Sequence, residues 1–323
     1  MAPPSLDPGR PQDGPTARLG DEARAALLYV LSRRGFLSEF NVLIYQYAYA
    51  LSVGEDMFID DSAWTVRWRD IFEPGLKYRT ELDERDYARV RASGSKLDRR
   101  EWNFRRGWMR RACDSDDLVD IPAIGFRGIW RDLLFELTKR LFQPLPQIRA
   151  EAEEQIVSLG LAEGPFAAIH IRRGDKTGGY EAPNGTRIIE GEVVDLECYL
   201  SALDEVSPGL RRIFVLTDDY REVLAARERY PSLDFVTLCD PTEAGYDNLA
   251  FKRMRPAQKV RAIRRLVMEL LIAIRSSAFA GGYLSNVSRT VVALHPRREV
   301  CRSVDSQSDW APGMTRAVVV QPA

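Results

Sequence analysis

A chain of 323 residues that is 45% hydrophobic is long enough for two ordinary domains, and its formal charge of -1 argues against any general affinity for nucleic acid or anionic membrane. Its 4 cysteines are widely spaced, with no Cys-x-x-Cys pair and only 2 histidines, so no structural zinc is expected; free thiols in a reducing, cytoplasmic compartment are. No window approaches the roughly 18 apolar residues that span a bilayer, and residues 1–22, rich in proline, glycine and charge, read as a disordered leader without a signal-peptide core.

Taken in order, residues 23–31 open a first domain and lead into Ser32-Arg33-Arg34-Gly35-Phe36, a basic, glycine-containing loop whose backbone N–H groups can approach an anion. Residues 40–53, with Tyr45, Tyr47, Tyr49 and Leu51, predict a buried helix whose aromatic stripe belongs to the core, and 57–60 a short strand. Trp64, Trp68 and Phe72 precede a polar stretch, 78–120, in which periodicity is weak. Within it, Asp114 and Asp116 have the Asp-x-Asp spacing that holds a divalent metal in one class of sugar-nucleotide transferases. No apolar strand leads into them, and a solvated acidic loop is the expectation.

Two helices are predicted at 131–142 and 146–159, the second with a proline in its first turn and Gly160 past its end. Strands and helices then alternate: strand 166–171, a loop to about 195, helix to about 206, strand 212–217, helix 220–230, strand 234–238, helix 257–277 and strand 278–283. A last helix, capped by Ser285, runs towards His295. That alternation predicts a parallel, doubly wound sheet. The domain plan is a leader at 1–22, an N-terminal α/β domain at 23–160, a Rossmann-like domain at 161–300 and a tail at 301–323.

The chemistry concentrates where the strand at 166–171 runs into His170, Arg172, Arg173, Gly174, Asp175 and Lys176. Adjacent guanidiniums at a buried strand end call for a dianion, and an arginine fork matches paired phosphate oxygens, so a diphosphate is the natural guest. A second strand ends in Asp218 and Asp219, and Ser285 begins a helix after a glycine pair, a position suited to phosphate. Three polar strand ends on one side of a sheet predict a phosphate-bearing ligand in the crevice there. Lys252, Arg253, Arg255, Lys259, Arg261, Arg264 and Arg265 flank an apolar stripe of Val260, Ile263, Val267 and Leu270, which reads as a solvated helix face rather than a nucleic-acid surface.

The run from His170 to Lys176 resembles the signature of the inverting fucosyltransferases that include the α-1,6 (core), rhizobial nodulation and protein O-fucosyltransferases. The likeness extends to Arg34-Gly35-Phe36 with its tyrosine-rich helix, Trp68 to Pro74, Phe142 to Pro146, Thr217-Asp218-Asp219, Leu284 to Arg289, and Leu294-His295-Pro296. It covers about residues 25–296. The resemblance implies a GT-B-like fold of two α/β domains, GDP-fucose as donor, inversion, no required metal or other cofactor, and an oligosaccharide or glycoconjugate acceptor. Carried over by position, Arg172 would bind the β-phosphate, His170 and Glu269 would read the guanine, and Ser285 would hold the diphosphate. Arg34, Gly35, Arg173, Asp218, Asp219 and Asn286 would complete the donor site. A carboxylate at 269 suits guanine N1–H and the 2-amino group; the other reading of Glu269 is an exposed position on an amphipathic helix.

The family's glutamate base has Tyr180 at its position here, with Glu181 one residue later. Glu181 is then the expected base, Lys176 its electrostatic partner and Asp175 the residue that holds the arginines, with Asp175 as the alternative base. Two other readings stay open: a transferase of another nucleotide sugar, and a nucleotide-sugar or glycan binder without catalysis.

Overall fold

In the computed structural model the described residues are 26–84, 90–93, 107, 117–181, 187–189, 193–305 and 319–320; at 91–93, 176, 180–181, 187–189 and 319–320 the description is of backbone alone. Cys113, Asp114 and Asp116 lie outside them.

The first sheet is built from β1 (Ala26–Val30), β2 (Asp56–Asp60), β3 (Lys77–Tyr78) and β4 (Val90–Ser93), all parallel in the order β3-β2-β1-β4. Helix α1 (Phe36–Ser52) crosses from β1 to β2. It starts four residues earlier than periodicity alone indicates because Phe36 is drawn into a stack, its ring 4.9 Å from Trp64 and 5.9 Å from Phe72. The weakly periodic stretch ends in a hairpin that its sequence did not announce, β5 (Leu118–Ile121) against β6 (Phe126–Ile129). Helices α2 (Trp130–Leu141) and α3 (Pro146–Ser158) follow, as predicted.

The second sheet has five parallel strands in the order β11-β10-β7-β12-β13. Its parts are β7 (Ala167–Ile171), the single turn α4 (Asp175–Gly178), α5 (Leu196–Asp204), β10 (Arg212–Thr217), α6 (Tyr220–Arg229), β11 (Asp234–Val236), α7 (Asn248–Arg253), α8 (Pro256–Ala273), β12 (Ala278–Gly281), α9 (Asn286–Leu294) and β13 (Cys301–Ser303). A small antiparallel sheet, β8 (Tyr180–Glu181), β9 (Arg187–Ile189) and β14 (Val319–Val320), stands beyond the β7 loop. Strand β11 stops short of Leu238 because the Thr237 hydroxyl donates to the Val215 carbonyl at 2.7 Å and accepts from the Cys239 amide at 3.0 Å, replacing ladder bonds.

Every residue of β7 is buried, as expected of a central strand covered on both faces. Alternation divides its side chains: Ala167, Ile169 and Ile171 pack towards α5 and α6, whereas Ala168 joins the core shared with α8. His170 has the parity of Ala168. That larger core runs unbroken from Leu27, Tyr29 and α1, through α2 and α3, to Ala168, Phe214 and Leu216 of the second sheet. Helix α3 packs along α8, with ion pairs from Arg264 to Glu151 and from Arg275 to Glu153. The two parallel sheets are thus joined through a helical layer. No helix among the described residues is long and apolar enough to cross a membrane.

Candidate functional site

Strand order decides what meets what. With β7 between β10 and β12, the residues that follow these three strands share one edge.

Arg172 leaves the end of β7 and is gripped on three sides. Its Nη1 donates to Asp218 Oδ2 at 2.5 Å, its Nη2 to Asp175 Oδ1 at 2.9 Å, and its guanidinium lies 4.7 Å from the centre of the Tyr246 ring. Two carboxylates and a π-face leave the fork little freedom to rotate, which is what a diphosphate ligand needs from its cation. Burial pushes the Tyr246 phenol up to about 12, so the ring stays neutral over the working range. Tyr246 is a residue of the candidate site that the sequence did not announce. Its backbone is also engaged: its N–H donates to Asp218 Oδ2 at 2.9 Å, and its carbonyl accepts from the Asp175 N–H at 3.0 Å.

Gly174 makes that contact possible. It holds φ +65°, and a Cβ there would overlap the Tyr246 backbone, lying 2.5 Å from its nitrogen. The glycine in Arg173-Gly174-Asp175 is therefore a packing requirement of the site.

The neighbouring arginine turns away. Arg173 donates to Glu222 through Nε at 2.7 Å and Nη2 at 2.9 Å, and its amide donates to Asp218 Oδ1 at 2.8 Å. Asp219 likewise serves α6, capping the helix through the Arg221 amide at 3.0 Å and pairing with the Arg221 side chain at 2.5 Å. Those hydrogen bonds from Arg221 hold its carboxyl below the usual range. So of the two double motifs, Arg172 and Asp218 face the edge while Arg173 and Asp219 brace it.

His170 is 5% exposed and bonds through Nδ1 to the Ser288 hydroxyl of α9 at 2.7 Å. Burial, assisted by the Arg172 charge, lowers its pKa to about 3, so the imidazole is neutral. Gly281 makes room for this pair, since a Cβ there would stand 2.5 Å from the Ser288 hydroxyl.

Glu269 on α8 is also 5% exposed, which excludes the reading as a solvated helix position. Its Oε1 has no hydrogen-bond partner and lies 3.7 Å from Arg265 Nε, which is unpartnered as well. Arg265 spends its Nη2 on Glu243, at 2.6 and 2.9 Å. Burial pushes the Glu269 carboxyl up to about 8; Arg265 pulls it down, and the charges of Glu243 and Asp218 add to the rise. Helix α8 packs against β7, which carries His170, and β10, which leads into Asp218. A buried carboxyl oxygen with an unused lone pair can accept an N–H donor that enters the site.

At the end of β12, Ser285 caps α9 through the Val287 amide at 3.2 Å, and the Asn286 side chain accepts from Asn41 Nδ2 at 3.1 Å. Asn41 belongs to the second turn of α1, so this bond ties the phosphate-suited terminus of α9 to the helix that follows Arg34 and Gly35. Arg34 and Gly35 are exposed, and their loop is shaped by buried Glu39, which accepts from the Tyr29 hydroxyl at 2.8 Å and the Ser32 amide at 3.0 Å. Lys176 and Glu181 have their backbones in α4 and β8; their side chains are outside the description. Among the described residues no group of three acidic, histidine or cysteine side chains is placed to hold a metal ion. A cavity of about 490 Å³ opens at the opposite, amino-terminal edge of the sheet, against Ala167, Ile213 and Leu233, away from all these groups.

No protein-family model matches the chain. Among solved structures it is similar to the NodZ α-1,6-fucosyltransferase soaked with GDP-fucose, with a TM-score of 0.52 and 13% identity over 85% of this chain and 94% of that one. The fucosyltransferase NodZ from Bradyrhizobium gives 0.51 at 14% identity over the same shares. A variant of Arabidopsis thaliana FUT1 in complex with GDP gives 0.50 at 8% identity, over 85% of this chain and 70% of that one. With its parallel sheets and alternating helices, the chain shares the α/β fold of these fucosyltransferases.

Proposed function

We propose that the chain is a glycosyltransferase that moves fucose from GDP-fucose, with inversion, to a hydroxyl of a glycan acceptor, on a GT-B-like frame whose two domains centre on the two parallel sheets. The observation that carries this reading is Arg172, clamped by Asp218, Asp175 and Tyr246, with His170 and Glu269 both buried. That edge offers one oriented cation for a diphosphate and one acceptor–donor pair for a purine base. Structures of the same fold carry GDP or GDP-fucose, which supports the same donor here. Arg172 meets the β-phosphate, and the α9 terminus at Ser285 and Asn286 meets the diphosphate. Glu269, as carboxylate, accepts from guanine N1–H and the 2-amino group while neutral His170 holds the base edge. Arg34 and Gly35 close the donor from the first sheet, and Arg173 and Asp219 act as braces.

In the transfer, the acceptor oxygen attacks the anomeric carbon from the face opposite the diphosphate. The C–O bond to phosphate breaks and its electron pair leaves with GDP, while the acceptor proton passes to a base. The Asp175 carboxylate is committed to Arg172, so Glu181 is assigned the base and Lys176 the charge beside it. Glu181→Gln is expected to cut transfer by about a hundredfold or more without changing GDP affinity. If it retains turnover within a few-fold of wild type while Asp175→Asn does not, the base is Asp175. Absence of both transfer and GDP-fucose hydrolysis in the intact protein would leave a binding protein, the reading that Tyr180 at the family's base position favours.

The Tyr246 contact has its own test. Gly174→Ala should lower Tm and weaken GDP binding at least tenfold, because the added Cβ must push the Tyr246 backbone away from Arg172. Normal GDP titration in a folded Gly174→Ala protein would show that the contact does not position the arginine.

A further inference from the structure

Between Asp247 and Glu269 the sequence has seven cations and not one acid. Arg264 and Arg265 are neutralised, by Glu151 at 2.5 Å and Glu243 at 2.6 Å. Lys252, Arg253, Arg255, Lys259 and Arg261 meet no carboxylate among the described residues. All but half-buried Lys259 are exposed, and in the same segment stand two exposed aliphatic side chains, Leu249 at 63% and Met254 at 39%. The near-zero charge of the whole chain conceals this local excess.

The placement is unfavourable within the fold itself. Arg255 is the N-cap residue of α8 and the first turn holds no acid, although the positive end of a helix dipole favours acids there. An anionic partner would remove that cost. Grooves for single-stranded nucleic acid set exposed aromatic rings among their cations for bases to stack on. Here the aromatic of the segment, Phe251, is buried, anchoring α7 with its ring 5.5 Å from Tyr246. Cations around exposed aliphatic side chains match instead the boundary between headgroups and acyl chains.

We infer that the elbow between α7 and α8, residues 249–261, is a docking surface for an anionic lipid bilayer. Attachment is peripheral: the cations meet phosphate and carboxylate headgroups, while Leu249 and Met254 enter the boundary beneath them. Through Phe251 and Tyr246 the docked segment also abuts Arg172, so the candidate site would open close to the lipid surface. The inference does not depend on which nucleotide or sugar the site takes.

The test is co-sedimentation of the full chain with vesicles of phosphatidylcholine alone and of phosphatidylcholine with about a third phosphatidylserine, at low and physiological salt. Binding is expected with phosphatidylserine only, weakening as salt rises. The triple variant Lys252→Gln, Arg253→Gln, Arg255→Gln should lose on the order of a hundredfold in partitioning, about fivefold per cation, with Tm unchanged. Leu249→Asn with Met254→Gln should weaken binding at both salt levels. The inference is overturned if neutral vesicles bind as well, if the triple variant binds like wild type, or if no vesicle binds. Capture by heparin that the triple variant loses, without vesicle binding, would overturn it in favour of a soluble polyanion.

Discussion

Arg172→Ala is expected to remove GDP binding to the limit of calorimetric detection. The guanidinium bridges Asp218 and Asp175, donating to them at 2.5 and 2.9 Å; without it, two carboxylates face the diphosphate directly. Removing the protein's member of a partly buried guanidinium–diphosphate pair costs about 2–5 kcal/mol, or roughly thirtyfold to several-thousandfold in Kd. Arg173→Ala is the contrasting variant. Its side chain is spent on Glu222, so it should lower Tm while leaving GDP affinity within a few-fold of wild type. If the two variants behave alike, or if Arg172→Ala binds GDP normally, the diphosphate is held elsewhere and the proposed donor site fails.

Glu269→Gln should change both base selectivity and the pH dependence of binding. With its carboxyl pushed up to about 8, Glu269 in the free protein is protonated below that pH, and with a proton on one oxygen it cannot accept from guanine N1–H and the 2-amino group together. Binding must then release a proton, so GDP affinity should rise by up to about tenfold per pH unit as pH climbs towards 8, and level off above it. Glu269→Gln should lose this slope relative to wild type, along with preference for GDP over UDP. A wild-type slope identical to that of the variant would remove Glu269 from base reading.

The stability profile carries the opposite sign. A carboxyl raised from about 4.5 to about 8 has no effect below the lower value, where folded and unfolded chains are both protonated. Stability is lost as pH rises between the two, at up to about 1.4 kcal/mol per unit, and the loss is complete above 8. Glu269→Gln should therefore raise Tm relative to wild type more at pH 8.5 than at pH 5, both being about the edges of that window. Equal Tm differences at the two values would show that the carboxyl titrates normally.

Much of the second sheet was legible because its signals are local. A run such as Ala167 to Ile171 is apolar throughout since both its faces are covered, and Ser285 and Asp219 announce the helices they cap by residue type alone. The same local signals placed His170, Arg172, Asp218 and Ser285 at strand ends and thus on one edge. The stretch at 78–120 gave no such signal, and the hairpin at its end rests on pairing rather than periodicity.

Tertiary structure decided the rest, because contacts between distant positions leave no trace in periodicity. Tyr246, 28 positions beyond Asp218, reaches Arg172 only when two loops close on Gly174. Ser288, 118 positions beyond His170, meets it because β7 and β12 are neighbours in the sheet. Asn41 and Asn286, 245 positions apart, join the helices that follow β1 and β12. The sequence by itself determined which side chains stand at the strand ends. Only the packing of one loop or helix against another determined that Arg172 and Asp218 face the crevice, that Arg173 and Asp219 brace its wall, and that Glu269 is buried with an oxygen unspent, since direction and burial depend on neighbours the local chain does not contain.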